Sequence, residues 1–475
     1  MRTSSLLSHS WLLMALAGAP VVTRAEGATN IVVIVTDEHG YADLGVQGIV
    51  RDVRTPHLDR LAREGVLCTN GYVTAPQCSP SRAALLTGRY QQRIGMNSIA
   101  DMPLPLETIS LAERLKPAGY TSATIGKWHL EPTPASERWL RQNNVGLLAP
   151  DHLVPYFPAA HGFDFHYTSE LNGYFVNYEM TGIARDPGWV THEGFRVDLQ
   201  TEAALAFIKE HRGGPFLAYV NYMAPHTPLE IPLKYLQPEW ESLPTRRQAA
   251  LAMISAVDDG VGRLVKLLEE LKIQEDTLIF FISDNGAPLH GQKDSPLDTD
   301  HGGWDGSLNA PLLGEKGMLA EGGIRVPFIV NWKGKLPAGK KYDGLVSSLD
   351  IVATSNSAAG LAPDPDLEGV DLLPLLTEER EASSRILFWR FWTQTAAREG
   401  NWKYLRVADR EFLFDLSDDN GETTNLAVRQ PDKLAKLREK TRVWADELQP
   451  SGFPTNKPNS QEIVWFRQYY GEILD

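Results

Sequence analysis

The chain has 475 residues, 43% hydrophobic and 22% charged, proportions that exclude disordered and fibrous classes and suit one large α/β core with an appendage. Its formal net charge of -14 argues against nucleic acid as a partner, and an anionic substrate would need a local basic cluster to draw it in. With only Cys68 and Cys78 available and no bridge expected between them, the fold must stand on its hydrophobic core.

In chain order, the first 25 residues read as an export signal. Arg2 gives a positive end, residues 11–22 are apolar, and Thr23-Arg24-Ala25 offers small residues before Glu26. The mature product is expected to be periplasmic or secreted, with no membrane span, because no later apolar run approaches the roughly 20 residues that crossing requires. Four apolar runs then finish in polar residues: 31–35 before Asp37-Glu38, 120–125 before Lys127-Trp128-His129, 216–222 before Pro225-His226, and 278–282 before Asp284-Asn285. Each has the length and content of a buried strand.

Helical patterns separate these runs. Thr55 and Pro56 open one helix, and Ser79 is expected to cap another over 80–87, with Pro80 first and Gly88 closing it in a left-handed conformation. That helix start would face Cys78, favour negative charge there, and add Arg82 as a fixed cation. Further helices are expected over 108–117, 193–211 and 246–272, the last with Val257, Val261, Leu264, Val265 and Leu268 on one stripe. Alternating strands and helices imply a large, mostly parallel sheet sandwiched by helices, with ligands beyond the carboxyl ends of the strands.

Asp37, Glu38, Lys127, His129, His226, Asp284 and Asn285 would share that edge, joined by Cys78 and Arg82. The oxygens of Asp37, Glu38, Asp284 and Asn285 suit a hard cation such as calcium. Lys127 and Lys316 can hold a tetrahedral anion as point charges, and histidines near an unperturbed pKa of about 6.5 suit proton transfer. This set describes hydrolysis of a sulfate or phosphate ester.

Residues 132–178, with His152, His161, His166, Tyr167 and Tyr174, read as too polar and Pro-rich for core, and with 290–306 they are expected to frame the pocket mouth. His301 and Trp304 are the candidate substrate contacts. A composition shift near 363–379 divides a catalytic domain (26–376) from a C-terminal subdomain (377–475). The latter is expected to be a small antiparallel sheet with strands over 386–392, 402–405 and 411–416, packed by a helix over 431–448 that turns Leu434 and Leu437 inward.

The run Cys78-Ser79-Pro80-Ser81-Arg82, followed by Leu86-Thr87-Gly88-Arg89, resembles the signature of the type I, formylglycine-dependent sulfatases of the alkaline phosphatase superfamily. Gly126-Lys127-Trp128-His129, Ala224-Pro225-His226, Ser283-Asp284-Asn285-Gly286 and the stretch from Lys316-Gly317 to Val326-Pro327 are similar too. The resemblance implies an alkaline phosphatase-like fold, a bound Ca2+ held by Asp37, Glu38, residue 78, Asp284 and Asn285, and a maturation enzyme that converts Cys78 to formylglycine. It further implies that hydrated formylglycine attacks sulfur, activated by calcium and Asp284. Arg82 and Lys127 would steady that residue, Lys127 and Lys316 bind sulfate oxygens, His226 protonates the leaving alcohol, and His129 deprotonates residue 78 to expel sulfate.

One departure is Asp37-Glu38, where the family usually carries two aspartates. The extra methylene leaves open whether Glu38 ligates or swings outward. The implied substrate is a sulfated carbohydrate. Two alternatives remain open: a phosphonate monoester or phosphodiester hydrolase, and a glycan-binding protein whose cysteine is never converted.

Overall fold

The protein is described from a computed structural model covering residues 29–99, 101–143, 153–169, 173–289, 304–378, 385–451 and 456–471. The expected export signal and His301 lie outside these residues. A ten-stranded sheet organises the molecule, in the order Lys340–Tyr342, Val66–Cys68, Phe328–Asn331, Thr277–Ser283, Asn30–Asp37, Phe216–Pro225, Thr121–Gly126, Phe165–Thr168, Gly173–Tyr178, Ala184–Thr191. The strands from Thr277–Ser283 through Phe165–Thr168 run parallel. The three at the centre, Thr277–Ser283, Asn30–Asp37 and Phe216–Pro225, are buried along their whole length because both faces are covered, whereas Thr121–Gly126 and Phe165–Thr168 alternate polar with apolar side chains.

On one face Val32, Ile34, Ala218 and Val220 pack with Val257, Val261 and Leu264 of the helix Thr245–Glu270 and with Phe207 of Arg196–His211. On the other, Val33, Val35, Phe280 and Ile282 join Leu85 and Leu86 of Cys78–Thr87 and Val352 of Asp350–Ala358, together with Trp389 and Leu405 of a second sheet. That sheet is antiparallel, Ile386–Phe391, Gln394–Glu399, Trp402–Val407, Arg410–Asp415. The helix Pro431–Asp446 lays Leu434 and Leu437 on it beside Tyr404 and Leu413, as expected. A last helix, Ser460–Tyr470, starts from a capping box of Asn459 and Glu462 and buries Trp465 and Phe466.

Several local expectations are corrected. The helix at the signature begins at Cys78, with Gln77 as N-cap and no side-chain cap, so Ser79 does not cap it. Ser81 N–H donates to the Gln77 carbonyl at 3.1 Å, which places Pro80 within the first turn, where a missing N–H costs nothing. Gly88 does end it at φ 70. Thr55 does not cap either; its hydroxyl donates to Asp59 at 2.9 Å and accepts from the Gly45 N–H at 2.8 Å. The helix expected over 108–117 is Leu111–Leu115, because Ser110, two residues inside the expected start, forms a capping box with Glu113.

The larger correction is to 132–178: Phe165–Thr168 and Gly173–Tyr178 extend the main sheet, and His161, His166, Tyr167 and Tyr174 are buried. His152 lies outside the described residues. The strand Gln394–Glu399 was not expected at all; its small buried Ala396 and Ala397 carry little strand signal.

Candidate active site

The four strands that were expected to end in polar residues are immediate neighbours in the sheet, Thr277–Ser283, Asn30–Asp37, Phe216–Pro225, Thr121–Gly126. Asp37 is in register with Pro225, and Gly126 with Asn221, so Asp37, Glu38, Lys127, His129, His226 and Asp284 reach one rim. Glu38 (φ 63) and His129 (φ 57) both hold the left-handed conformation. For non-glycine residues this costs about 1–3 kcal/mol each, a strain typical of functional positions.

Cys78, at the start of its helix, has its Sγ 3.5 Å from Asp37 Oδ1 and 4.0 Å from Glu38 Oε1. Lys127 Nζ donates to Asp37 Oδ2 at 2.7 Å. Arg82 donates from Nε to Asp284 Oδ2 at 2.9 Å and from Nη1 to Asn221 Oδ1 at 3.1 Å, and the Glu38 N–H donates to Asp284 Oδ1 at 3.0 Å. Glu38 points inward: it is buried, pairs with the Lys316 ammonium, and lies 3.3 Å from His226 Nε2. His226 Nδ1 is 2.5 Å from the Thr227 carbonyl, an acceptor, so Nδ1 carries a proton and Nε2 is the nitrogen that exchanges one at the site.

The charges are strongly coupled. Burial pushes the Asp37 carboxyl up, but Lys127, His226 and Arg82 together hold it well below the usual range. Asp284 is raised to about 7 by burial and then by the Asp37 charge. Burial lowers both His226 and His129, against the pull of Glu38 on the first and with Lys127 adding to it on the second. Lys316 loses to burial but gains more from Cys78, Glu38 and Asp37, and ends well above its ordinary value. The Cys78 thiol is pushed well up, first by burial, with Lys316 opposing. The negative charge expected there from the helix start is therefore not favoured on sulfur.

Ligand atoms of Asp37, Glu38, Cys78 and His226 lie within 4.8 Å of one another. Asn285 Nδ2 donates to the Gly286 carbonyl at 2.9 Å, and its Oδ1 is buried without a partner. The Asp37 and Glu38 carboxylates of that cluster fit a hard cation.

Trp304 is buried, its indole N–H donating to the Ser307 carbonyl at 2.7 Å and its own carbonyl accepting from Arg246 Nη1 at 2.9 Å. Its described contacts thus anchor a loop. Sequence reasoning missed Asn221 and Asp305. Asn221 orients Arg82, and its signal was a lone amide inside an apolar strand. Asp305 is fully buried with Oδ2 unpartnered, and its carboxyl is driven well up by burial and then by the Glu38 charge.

The chain matches the family model for the sulfatases over residues 29–361 and that for the C-terminal part of N-sulphoglucosamine sulphohydrolase over 313–444. It is 34% identical to N-acetylgalactosamine-6-sulfatase of Sus scrofa over 428 residues, covering 83% of this chain and 74% of that one. It is 30% identical to steryl-sulfatase of Mus musculus, covering 76% and 67%. The crystal structure of Ps i-CgsB in complex with k-i-k-neocarrahexaose superposes with a TM-score of 0.73 at 27% identity, covering 93% of this chain and 98% of that one. The rim of strand ends around Cys78 is thus carried by a member of the sulfatase family, an enzyme that hydrolyses sulfate esters.

Proposed function

We propose that this enzyme removes sulfate from a carbohydrate, with Cys78 converted to formylglycine by a maturation enzyme, calcium at the rim, and export directed by residues 1–25. The observation that carries the reading is Cys78 Sγ 3.5 Å from Asp37, with Lys127 and Lys316 each bound to a rim carboxylate. Sγ marks where an oxygen of the converted residue would sit. Once converted, residue 78 would supply the hydroxyl that attacks sulfur, and Asp37, Glu38, Asp284, Asn285 and residue 78 would hold calcium, which would supply positive charge beside it. Lys127 and Lys316 orient the sulfate oxygens and offset charge that develops on them. Arg82 fixes Asp284. His226 Nε2 delivers a proton to the leaving oxygen, and His129 takes one from residue 78 to release sulfate.

A sugar as leaving group is supported by the N-acetylgalactosamine-6-sulfatase relative and by the neocarrahexaose complex. A cavity of about 270 Å³ also fits, lined among others by Trp128, the residue after Lys127, and by Glu131, Thr168 and Trp189. Ser169 ties this cavity to the site through its N–H to the Gly126 carbonyl at 3.0 Å. Trp189, 49% exposed, is held 5.3 Å from Phe175, a rigid face for stacking on a ring. His301, outside the described residues, and Trp304 remain the proposed substrate contacts.

The test uses enzyme produced with its maturation partner. A mass spectrum of the peptide containing residue 78 is expected to show loss of sulfur and gain of an aldehyde, and an intact thiol in active enzyme overturns the mechanism. Defined sulfated sugars should give a higher kcat/KM than nitrophenyl sulfate and far higher than phosphonate or phosphodiester analogues. A steroid sulfate outperforming every sugar would overturn the substrate assignment.

A further inference from the structure

We propose that Gln394, on the C-terminal sheet and remote from the rim, is a positioning residue whose carboxamide fixes the backbone after Lys316 and so places the Lys316 ammonium at the site. This rests on the reading of Lys316 as a sulfate-binding residue.

Lys316 lies in a stretch, 314–320, without regular secondary structure. No helix or sheet ladder therefore sets the direction from which its long side chain leaves the backbone. A turn bond from the Met318 N–H to the Glu315 carbonyl at 2.9 Å and contacts to three other segments do so instead. Lys316 N–H donates to the Ala287 carbonyl at 3.2 Å, just past the Asp284-Asn285 strand end, and Gly317 N–H donates to the Pro76 carbonyl at 2.9 Å, just before Cys78. Gln394 supplies the third contact from outside: Nε2 donates to the Gly317 carbonyl at 3.0 Å, and Oε1 accepts from the Leu319 N–H at 2.8 Å. One planar amide thereby engages a carbonyl and an N–H two residues apart, as a neighbouring strand would.

Gln394 is itself held. It is fully buried, and its Nε2 also lies 3.3 Å from Glu462 Oε1, which accepts from the Thr393 N–H and hydroxyl at 3.2 and 2.9 Å. The indole of Trp465 closes over Gly317 so tightly that a Cβ there would lie 2.1 Å from it, so the loop is pinned between that ring and Gln394. A lysine acting as a point charge on a flexible stem loses effect quickly when its base shifts, because misplacement by about 1 Å can cost on the order of a hundredfold in rate.

The full-length, converted enzyme tests this with Lys316→Ala, Gln394→Met, Gln394→Glu and the Lys316→Ala/Gln394→Met pair, assayed on nitrophenyl sulfate. Met fills a similar volume and removes both bonds; Glu keeps the acceptor for Leu319 and loses the donor to Gly317. Gln394→Met is expected to lower kcat/KM about tenfold or more and to weaken inhibition by inorganic sulfate, and Gln394→Glu, whose carboxylate would face both the Gly317 carbonyl and Glu462, to do so at least as strongly. In the Lys316→Ala background the same change is expected to alter kcat/KM by less than about twofold, the non-additivity of residues that act as a unit. An equal loss in both backgrounds, or none in either, overturns the proposal. Wild-type rates for Lys316→Ala alone would instead overturn the role of Lys316 in the proposed function. Should neither Gln394 variant fold, hydrogen exchange in the wild-type protein decides: strong protection of the Leu319 amide is expected, and exchange at the rate of an open loop amide overturns the clamp.

Discussion

Position 78 sets two effects against each other. A helix start with three cations nearby favours an anion, yet burial and the Asp37 charge keep the thiol protonated. A cysteine left unconverted is therefore a poor nucleophile in this site, and replacement by serine should rescue nothing. Cys78→Ser and Cys78→Ala are both expected to lower kcat on nitrophenyl sulfate by about 10⁴-fold or more, as loss of a covalent nucleophile does; a serine variant within a hundredfold of wild type would contradict the role. Glu38 illustrates how an unusual residue earns its place by reach. Its carboxylate pairs with Lys316 and approaches His226 and Cys78 while its own N–H bonds Asp284. Glu38→Gln keeps the shape and removes the charge, so, if calcium occupies the rim as proposed, the concentration needed for half-maximal activity is expected to rise about 10–100-fold, read by titrating chelated enzyme; an unchanged requirement would place Glu38 outside the metal shell. The rim residues were legible because each follows an apolar run long enough to be a strand. Asn221 and Asp305 were not, since a single polar residue within a strand or an irregular loop has no pattern to stand against.

At the scale of elements, the chief surprise is that 153–169 and 173–178 build sheet and core. Their histidines looked like pocket residues because composition alone weighs imidazole as polar. In the fold, the His166 ring stacks on Phe175 at 5.2 Å and His161 lies 5.7 Å from Trp128, with no hydrogen-bond partner for any of their ring nitrogens. Burial holds each ring down to about 4. Below about 6.5 the unfolded chain takes up protons that the folded rings refuse until about pH 4, so stability falls as pH drops through that window and recovers as pH rises. The loss is on the order of 3 kcal/mol per ring once both states titrate. His161→Phe with His166→Phe keeps the stacking and removes the titration. Melting temperature between pH 6.5 and 4 is expected to decline less steeply in this variant than in wild type, and parallel curves would show that other groups govern acid unfolding. The long helix Thr245–Glu270 and the strand Asn30–Asp37 were legible for the converse reason, since their periodicity runs unbroken over many residues.

At the scale of the molecule, the composition shift near 363–379 marks the expected boundary of the C-terminal subdomain, and packing joins the parts on either side of it. Leu387, Trp389 and Phe391 share one apolar cluster with Tyr72, Val73 and Val346, and Trp389 Nε1 donates to the Val73 carbonyl at 2.7 Å. Asp350, fully buried in the catalytic part, accepts from Arg385 at 2.6 and 2.9 Å, as well as from the N–H groups of Ser347 and Val370. Sequence cannot show this, because residues that meet across hundreds of positions leave no local pattern. A chain joined by such a core should unfold as one unit, with tryptophan fluorescence and circular dichroism giving coincident urea transitions. Arg385→Ala would leave the Asp350 charge buried and only partly satisfied, a defect worth about 3–5 kcal/mol. If the seam is part of the cooperative core, that cost lowers the midpoint of the single transition. If the parts are independent, the variant instead splits the curve, with the C-terminal sheet melting first and the sheet that carries the rim retaining its wild-type midpoint.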